Sequence, residues 1–253
     1  MTLLRKVGST YARIWRTYRA WGPSILLLAF VIFVPLGLVD ALVADVDVDS
    51  LDLSSGIKVL AVVAAVGAIT ATGLLGEVFF SGAVAVSLTH PRHERAPPLM
   101  EIARRLRYGR LIAVDLIYVA LVAVGLLLAF IPGALAFVWF GLAGPAVELE
   151  ERTVRGALAR SWRLVRGNFW LVFLVLVPVE VVGDLLGEGL SHLVHDALGE
   201  TLLASWLAES LSNIVLSPIF AIAAVLLTID LIAAKDGDGP RLNPAPTPTP
   251  AAA

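Results

Sequence analysis

Residues 111–147 read LIAVDLIYVALVAVGLLLAFIPGALAFVWFGLAGPAV, and this stretch decides the fold class. It contains one charged residue, Asp115, and is far longer than the roughly 20 residues that a helix needs to cross the hydrocarbon core of a bilayer. Ile131, Pro132 and Gly133 form a turn signal in its middle. The stretch therefore predicts a hairpin of two membrane-spanning helices, of which the second is short.

The composition of the whole chain is also that of a membrane protein. Hydrophobic residues make up 58% of the 253 positions, charged residues make up 16%, and the mean hydropathy is +0.86. A water-soluble domain is closer to half apolar. Because the sequence contains no cysteine, disulfides, thiolate nucleophiles and cysteine metal sites are excluded.

Four further apolar runs of spanning length lie outside the hairpin. They occupy residues 24–44, 57–88, 169–186 and about 213–234, and the last is bent at Pro218. Together with the hairpin they give six crossings. We therefore expect an all-α polytopic membrane bundle of about six transmembrane helices, with amphipathic interfacial helices.

The segments between these runs alternate in charge, which checks the count independently. Arginines collect before the first span, after the second and after the fourth, whereas aspartates and glutamates follow the first and the fifth. The positive-inside rule then places the arginine-rich segments and both termini in the cytoplasm. Reading 57–88 as two spans would put an arginine-rich loop outside, so we reject it.

Scarce lysine and abundant alanine and valine suggest a bacterial source, and the expected location is the inner membrane.

Composition divides the chain into three segments. Residues 1–22 predict an amphipathic interfacial helix, because apolar and cationic side chains alternate at helical period. Residues 23–235 form the predicted six-span membrane domain. Residues 236–253 are rich in proline, alanine and threonine and predict a disordered cytoplasmic tail.

Cytoplasmic segments repeat the same amphipathic pattern. Residues 150–167 predict a second arginine-rich helix, and residues 99–108 a third. The cations expected to face lipid or a partner are Arg13, Arg16, Arg19, Arg152, Arg155, Arg160, Arg163 and Arg166. Expected partners are anionic lipid headgroups or a membrane protein, and no nucleic acid is expected. The simpler alternative is a topology anchor, since positive-inside orientation alone explains the charges.

Carboxylates occur in or near the apolar runs, where a charge at the bilayer centre costs about 2.5 to 3.5 kcal/mol on insertion scales. They are Glu77, Asp115, Glu180, Glu209 and Asp230. One interpretation is a proton or cation relay through Glu77 and Glu180. The favoured one is that they pair with arginines near the cytoplasmic interface or stay protonated. Asp115 and Asp230 are expected to pair with Arg110 and Lys235.

Catalytic and metal-binding patterns are weak. His192 and His195, near carboxylates, could ligate a metal, but a polar helix face is favoured. The sequence has no GxSxG elbow, HExxH motif, P-loop or dinucleotide glycine fingerprint. We expect no catalytic residue, metal or cofactor.

A resemblance follows from GPAVELEE at 144–151 and GALARSWRLVRGNFW at 156–170. The stretch resembles the glycerophosphoryl diester phosphodiesterase membrane domain family and the related YciC-like bacterial multi-pass membrane proteins. The matching positions are Ser161, Trp162, Leu164, Gly167 and Trp170, while Ala159 departs from the spacing. The resemblance implies a membrane module, and it transfers no catalytic residue, because hydrolysis in the family belongs to a separate domain.

These patterns leave two main functional hypotheses. The leading one is a non-enzymatic membrane protein that engages anionic lipid or a membrane partner through its cationic helices. The alternative is a small-solute or ion transporter that uses Glu77 and Glu180, and an intramembrane enzyme ranks third.

Overall fold

The computed structural model describes residues 2–44, 76–89, 98–199, 201–237 and 239–242. Within these ranges the chain is helical, with short connections and no strand. The helices are α1 (Leu3–Ala44), α2 (Glu77–Thr89), α3 (Leu99–Arg105), α4 (Tyr108–Leu128), α5 (Phe130–Phe140), α6 (Ala143–Leu149), α7 (Val154–Val165), α8 (Phe169–Leu198) and α9 (Leu202–Asp236). The expected all-α bundle is confirmed.

Five helical stretches in the described ranges are long and apolar enough to cross a membrane. They are Leu3–Leu38, Tyr108–Leu128, Phe130–Leu149, Phe169–Leu198 and Leu202–Asp236. Helix α2 is apolar but shorter, and it covers only the end of the predicted second span. Residues 57–75 of that span lie outside the described residues, and so does most of the predicted tail. The count of six crossings therefore stays a prediction.

The predicted hairpin is formed by α4 and α5. The break falls at Ala129, whose backbone is extended, rather than at Ile131–Gly133. Pro132 lies in the first turn of α5, where a missing N–H costs no intrahelical hydrogen bond. The two helices meet closely, because a Cβ added at Gly125 would lie 2.7 Å from the Gly133 backbone nitrogen.

Helix α1 corrects the predicted boundary at residue 22. It runs without a break from Leu3 to Ala44, so residues 1–22 are not a separate interfacial helix. The helix packs antiparallel to α9: Arg13 lies 2.5 Å from Asp230 near one end, and Trp206 Nε1 donates to the Val34 carbonyl oxygen at 2.8 Å near the other. This continuous contact with α9 keeps the N-terminal segment in the bundle.

Helices α8 and α9 extend beyond the apolar runs that predict them. The span predicted at 169–186 continues to Leu198, so the segment around His192 is the C-terminal part of α8. Gly199, with φ of +75°, ends α8, and the Thr201 hydroxyl accepts the Ala204 N–H at 3.1 Å to start α9.

The core surrounds the second half of α9. Every residue from Phe220 to Ile229 is buried, and α1, α2 and α8 pack around this helix. A second close contact lies where α2 crosses α6. There, a Cβ on Gly144 would collide with the Val78 carbonyl oxygen and lie 2.7 Å from Ser81 Oγ.

Candidate functional site

The arginine-rich helix predicted at 150–167 is α7, somewhat shorter than predicted. The Thr153 hydroxyl accepts the Gly156 N–H at 3.3 Å and begins the helix, and Gly167, with φ of +93°, follows its end. Ala157, Leu164 and Val165 bury its apolar side in the bundle. The amphipathic segment therefore forms a helix that packs on the bundle, and most of its arginines face outward.

Arg160 is the exception, and the expectation that it faces lipid or a partner is wrong. It is 6% exposed, because its Nε and Nη2 donate to the two Glu150 carboxylate oxygens, each at 2.8 Å. Nη2 also pairs with Asp236 at the end of α9. Burial alone would lower the pKa of the Arg160 guanidinium, but the hydrogen bonds to Glu150 and Asp236 raise it above its ordinary value. Arg160 therefore fastens α7 to α9.

Two more of the predicted cations have protein partners. Arg13 pairs with Asp230, and Arg152 Nε lies 3.4 Å from Glu150. The predicted pairing of Asp230 with Lys235 is wrong, because Lys235 Nζ donates instead to the carbonyl oxygens of Arg163 and Arg166 at the end of α7. The last turns of α9 thus hold both α1 and α7.

The remaining predicted arginines form an exposed cationic surface. We call it the arginine face: Arg16, Arg19, Arg155, Arg163 and Arg166, with the exposed tryptophans Trp15 and Trp162. The Arg19 guanidinium lies over the Trp15 ring at 5.4 Å from its centroid, and Arg166 lies over Trp162 at 5.6 Å. No described carboxylate forms an ion pair with any of these five arginines, so their charges are available to a ligand.

The third predicted segment, 99–108, contains the short helix α3 and an anchoring cation that the sequence reasoning missed. The Arg107 N–H donates to Glu148 Oε1 at 2.9 Å, and its guanidinium lies 3.2 Å from Glu148 Oε2 and 2.7 Å from Glu151. Glu151 has a left-handed backbone, with φ of +55°. This contact joins the start of α4 to the end of α6.

Asp115 has a different partner from the one expected. Its carboxylate accepts the backbone N–H groups of Gly76, Val78 and Phe79 at 2.8, 3.0 and 3.2 Å. These are donors of the first turn of α2, which have no partner within their own helix. The predicted pair with Arg110 is wrong, since Arg110 donates to the Glu151 carbonyl oxygen. Asp115 therefore caps a helix that begins inside the bundle.

Glu77 and Glu180, the residues of the relay hypothesis, lie within electrostatic range of each other. Ser217 Oγ donates to Glu77 Oε1 at 2.5 Å, while Glu77 Oε2 and the Tyr118 hydroxyl are buried with no hydrogen-bond partner among the described atoms. Glu77 and Tyr118 both lie within electrostatic range of Glu180. Within the described part of the chain, no arginine or lysine pairs with Glu77 or Glu180. We call Glu77, Asp115, Glu180 and Asp184 the carboxylate cluster.

A cleft opens beside this cluster, between the α4–α5 hairpin and α8. Its volume is about 380 Å³, and Glu180 and Asp184 are its charged wall residues. The other wall residues are Val122, Leu126, Phe130, Gly133, Ala134, Phe137, Val177 and Val181. Tyr118, Asp184 and Ser217 were not predicted as site residues. For Tyr118 a signal existed, because it lies one helical turn after Asp115 on the same face.

The histidines of α8 do not converge with carboxylates as metal ligands. His195 bonds the Ser191 carbonyl oxygen at 2.8 Å and Ser205 Oγ at 3.2 Å, whereas the exposed His192 lies 3.3 Å from Glu188. Among the described residues, no group of three potential ligands is arranged to hold a metal ion. Glu209, on α9, does not line the cleft.

Comparison of the chain with protein-family models, with curated proteins and with solved structures finds no match. The resemblance on residues 144–170 therefore stays a prediction. Several of its positions have clear physical roles in this fold. Ser161 Oγ donates to the Trp139 carbonyl oxygen at 2.6 Å, Trp162 stacks with Arg166, and Gly167 takes the positive φ that ends α7.

Proposed function

We propose that the chain is a non-enzymatic protein of the bacterial inner membrane, with both termini in the cytoplasm, whose arginine face engages anionic lipid headgroups. One observation carries the proposal. Two exposed tryptophan–arginine stacks lie on α1 and on α7, and both helices are tied to the C-terminal part of α9, through the Arg13–Asp230 pair and through the contact of Lys235 with the Arg163 carbonyl oxygen. Indole rings prefer the membrane interface, and guanidinium groups bind phosphate oxygens bidentately.

The energetics provide a way to distinguish recognition of anionic lipid from simple anchoring. Each cation near an anionic membrane surface contributes about 1 kcal/mol, and five unpaired arginines add several such contributions. The attraction decays over a Debye length, about 8 Å at physiological ionic strength. A topology anchor would orient the chain equally well in neutral lipid. A preference for anionic lipid that weakens as salt is raised therefore distinguishes lipid recognition from a topology anchor.

Quenching of tryptophan fluorescence by brominated lipids tests this preference. The full chain is reconstituted into phosphatidylcholine bilayers that contain either brominated phosphatidylglycerol or brominated phosphatidylcholine. We expect brominated phosphatidylglycerol to quench more, with an association constant at least about fivefold higher at low salt, as a contribution of about 1 kcal/mol implies. The difference should shrink as salt is raised.

Two charge variants identify the face responsible. Combining Arg155→Gln, Arg163→Gln and Arg166→Gln should reduce the preference, because it removes the α7 part of the arginine face. The matched control combines Glu188→Gln and Asp196→Asn, which changes charge on the far part of α8 and should leave the preference intact. Equal quenching by the two brominated lipids at low salt would contradict the proposal.

A second candidate, a small-solute or ion transporter, is supported by the carboxylate cluster. Glu77 Oε2 is buried without a partner among the described atoms, and Glu180 is within electrostatic range of Glu77. Such groups at membrane depth commonly mark proton or ion pathways. The test is proton or solute flux in proteoliposomes. Flux that Glu77→Gln and Glu180→Gln leave unchanged would rule this candidate out.

A further inference from the structure

The cleft beside α8 has two carboxylates in an otherwise apolar wall. Glu180 and Asp184 lie one helical turn apart on α8, with Glu180 half-buried and Asp184 exposed at the mouth. No described residue gives either carboxylate an ion pair or a hydrogen bond. The volume of about 380 Å³ is within the usual size of a small-molecule site, about 300 to 1,000 Å³.

Two buried polar groups that do not line the cleft lie within electrostatic range of Glu180. Tyr118 is fully buried, and its ring contacts the wall residue Phe137 with centroids 6.3 Å apart. Its hydroxyl has no hydrogen-bond partner among the described residues and is within electrostatic range of Glu180. Glu77, 5% exposed, adds a second oxygen, Oε2, that no described residue hydrogen-bonds, and it too is within electrostatic range of Glu180. Buried polar atoms are nearly always hydrogen-bonded, so these two atoms mark a polar region beside the cleft.

The cations on α7 and at the start of α4 lie too far from these carboxylates to neutralise them. Helix α4 runs from Tyr108, beside Arg107 and Arg110, to Leu128 near the cleft, a length of about 31 Å at 1.5 Å per residue. The described arginines that surround α7 are therefore at the opposite end of the hairpin. A carboxylate at membrane depth without a counter-charge costs about 2.5 to 3.5 kcal/mol, and a bound cation removes that cost.

The wall chemistry determines which cation fits. A bare metal ion requires about six oxygen ligands, whereas most of the wall is aliphatic or aromatic. Glu180 and Asp184 offer carboxylates for an ammonium group, and Phe130, Phe137 and the aliphatic wall residues offer apolar contact for a hydrocarbon body. The cleft wall therefore suits an organic cation with a hydrophobic body, because it combines an apolar surface and aromatic rings with two carboxylates.

We propose that this cleft binds a hydrophobic organic cation, with its ammonium group between Glu180 and Asp184 and its apolar body against Phe130 and Phe137. The proposal concerns binding alone. It therefore stands or fails independently of the lipid preference of the arginine face and of any transport.

Isothermal titration of the purified full chain in non-ionic detergent tests the proposal with two probes of matched shape. Benzyltrimethylammonium carries a permanent charge, and neopentylbenzene is its neutral carbon isostere. We expect the cation to bind at a single saturable site and the neutral isostere to bind at least about tenfold more weakly, a difference of about 1.4 kcal/mol.

Variants then locate the site. Glu180→Gln and Asp184→Asn should each weaken cation binding about tenfold. Ala134→Phe should abolish it by filling the cleft while leaving both carboxylates in place. Glu209→Gln, which removes an acid that does not line the cleft, should bind as the unaltered chain does. A thermal unfolding midpoint is recorded for every variant.

Three results would overturn the proposal. They are no saturable binding of benzyltrimethylammonium to the folded chain, equal affinity for the neutral isostere, and unchanged affinity in a folded Ala134→Phe chain. The first two use the unaltered protein, so the proposal is decided even where a variant fails to fold.

Discussion

At the scale of single residues, one guanidinium connects three parts of the chain. Arg160 lies on α7, Glu150 follows α6, and Asp236 ends α9. The Arg160 and Glu150 side chains are 8% and 14% exposed, so removing the cation leaves a largely buried carboxylate without its main partner. Breaking a buried pair from one side is costly, because the remaining charge keeps its desolvation penalty.

We predict that Arg160→Ala lowers the free energy of unfolding by about 3 kcal/mol. Arg155→Ala removes an exposed cation from the same helix and should change it by less than about 0.5 kcal/mol. The measurement is an unfolding titration with dodecyl sulfate in mixed micelles, followed by circular dichroism. Similar losses from the two variants would mean that the Arg160 contacts contribute nothing specific.

At the scale of elements, small residues set the distances between helices. Where α2 crosses α6, the Gly144 Cα approaches the Val78 carbonyl so closely that a methyl group requires one helix to move. Gly109, near the start of α4, has no neighbour within 4 Å of an added Cβ. The same substitution therefore has opposite consequences at the two positions.

We predict that Gly144→Ala destabilises the bundle by about 1 to 3 kcal/mol, the usual cost of overpacking. Gly109→Ala should be neutral or stabilising by up to about 1 kcal/mol, because it only restricts the backbone of the unfolded chain. The dodecyl sulfate titration measures both. A Gly144→Ala chain as stable as the unaltered one would contradict the close crossing.

Element type could be predicted from the sequence, because it depends on local pattern. Apolar runs of spanning length predict α4, α8 and α9, and the amphipathic period predicts α7. The positions at which the helices end depend also on long-range contacts, and the local sequence pattern does not predict those contacts. Helix α1 continues through residue 22 because α9 packs along it, a contact between opposite ends of the chain.

The site was predictable only in part, for a related reason. Arg160 follows Ala157 by three residues and precedes Leu164 by four, which places it on the buried side of α7; grouping arginines by charge alone concealed this. The proximity of Glu77 and Glu180 was only a hypothesis, since three-dimensional packing decides it. The cleft forms where the α4–α5 hairpin packs against α8, and local sequence patterns do not predict this packing.

At the scale of the whole molecule, charge separates the two ends of the bundle. The arginines of α7, the end of α9 and the Arg107 contacts lie at one end, whereas the hairpin turn, the cleft and the acidic part of α8 lie at the other. In the proposed orientation, the arginine face meets the cytoplasmic leaflet and the cleft lies toward the outer side. The side of the membrane that each proposed site faces depends on this polarity.

Single-cysteine labelling tests this orientation most directly, because the chain contains no cysteine of its own. Ala159→Cys places a thiol at an exposed position of α7, and His192→Cys places one at an exposed position of α8. With a membrane-impermeant maleimide on intact spheroplasts, we predict labelling of the position-192 thiol at once and of the position-159 thiol only after permeabilisation. Labelling of position 159 in intact spheroplasts, with position 192 protected, would contradict the account.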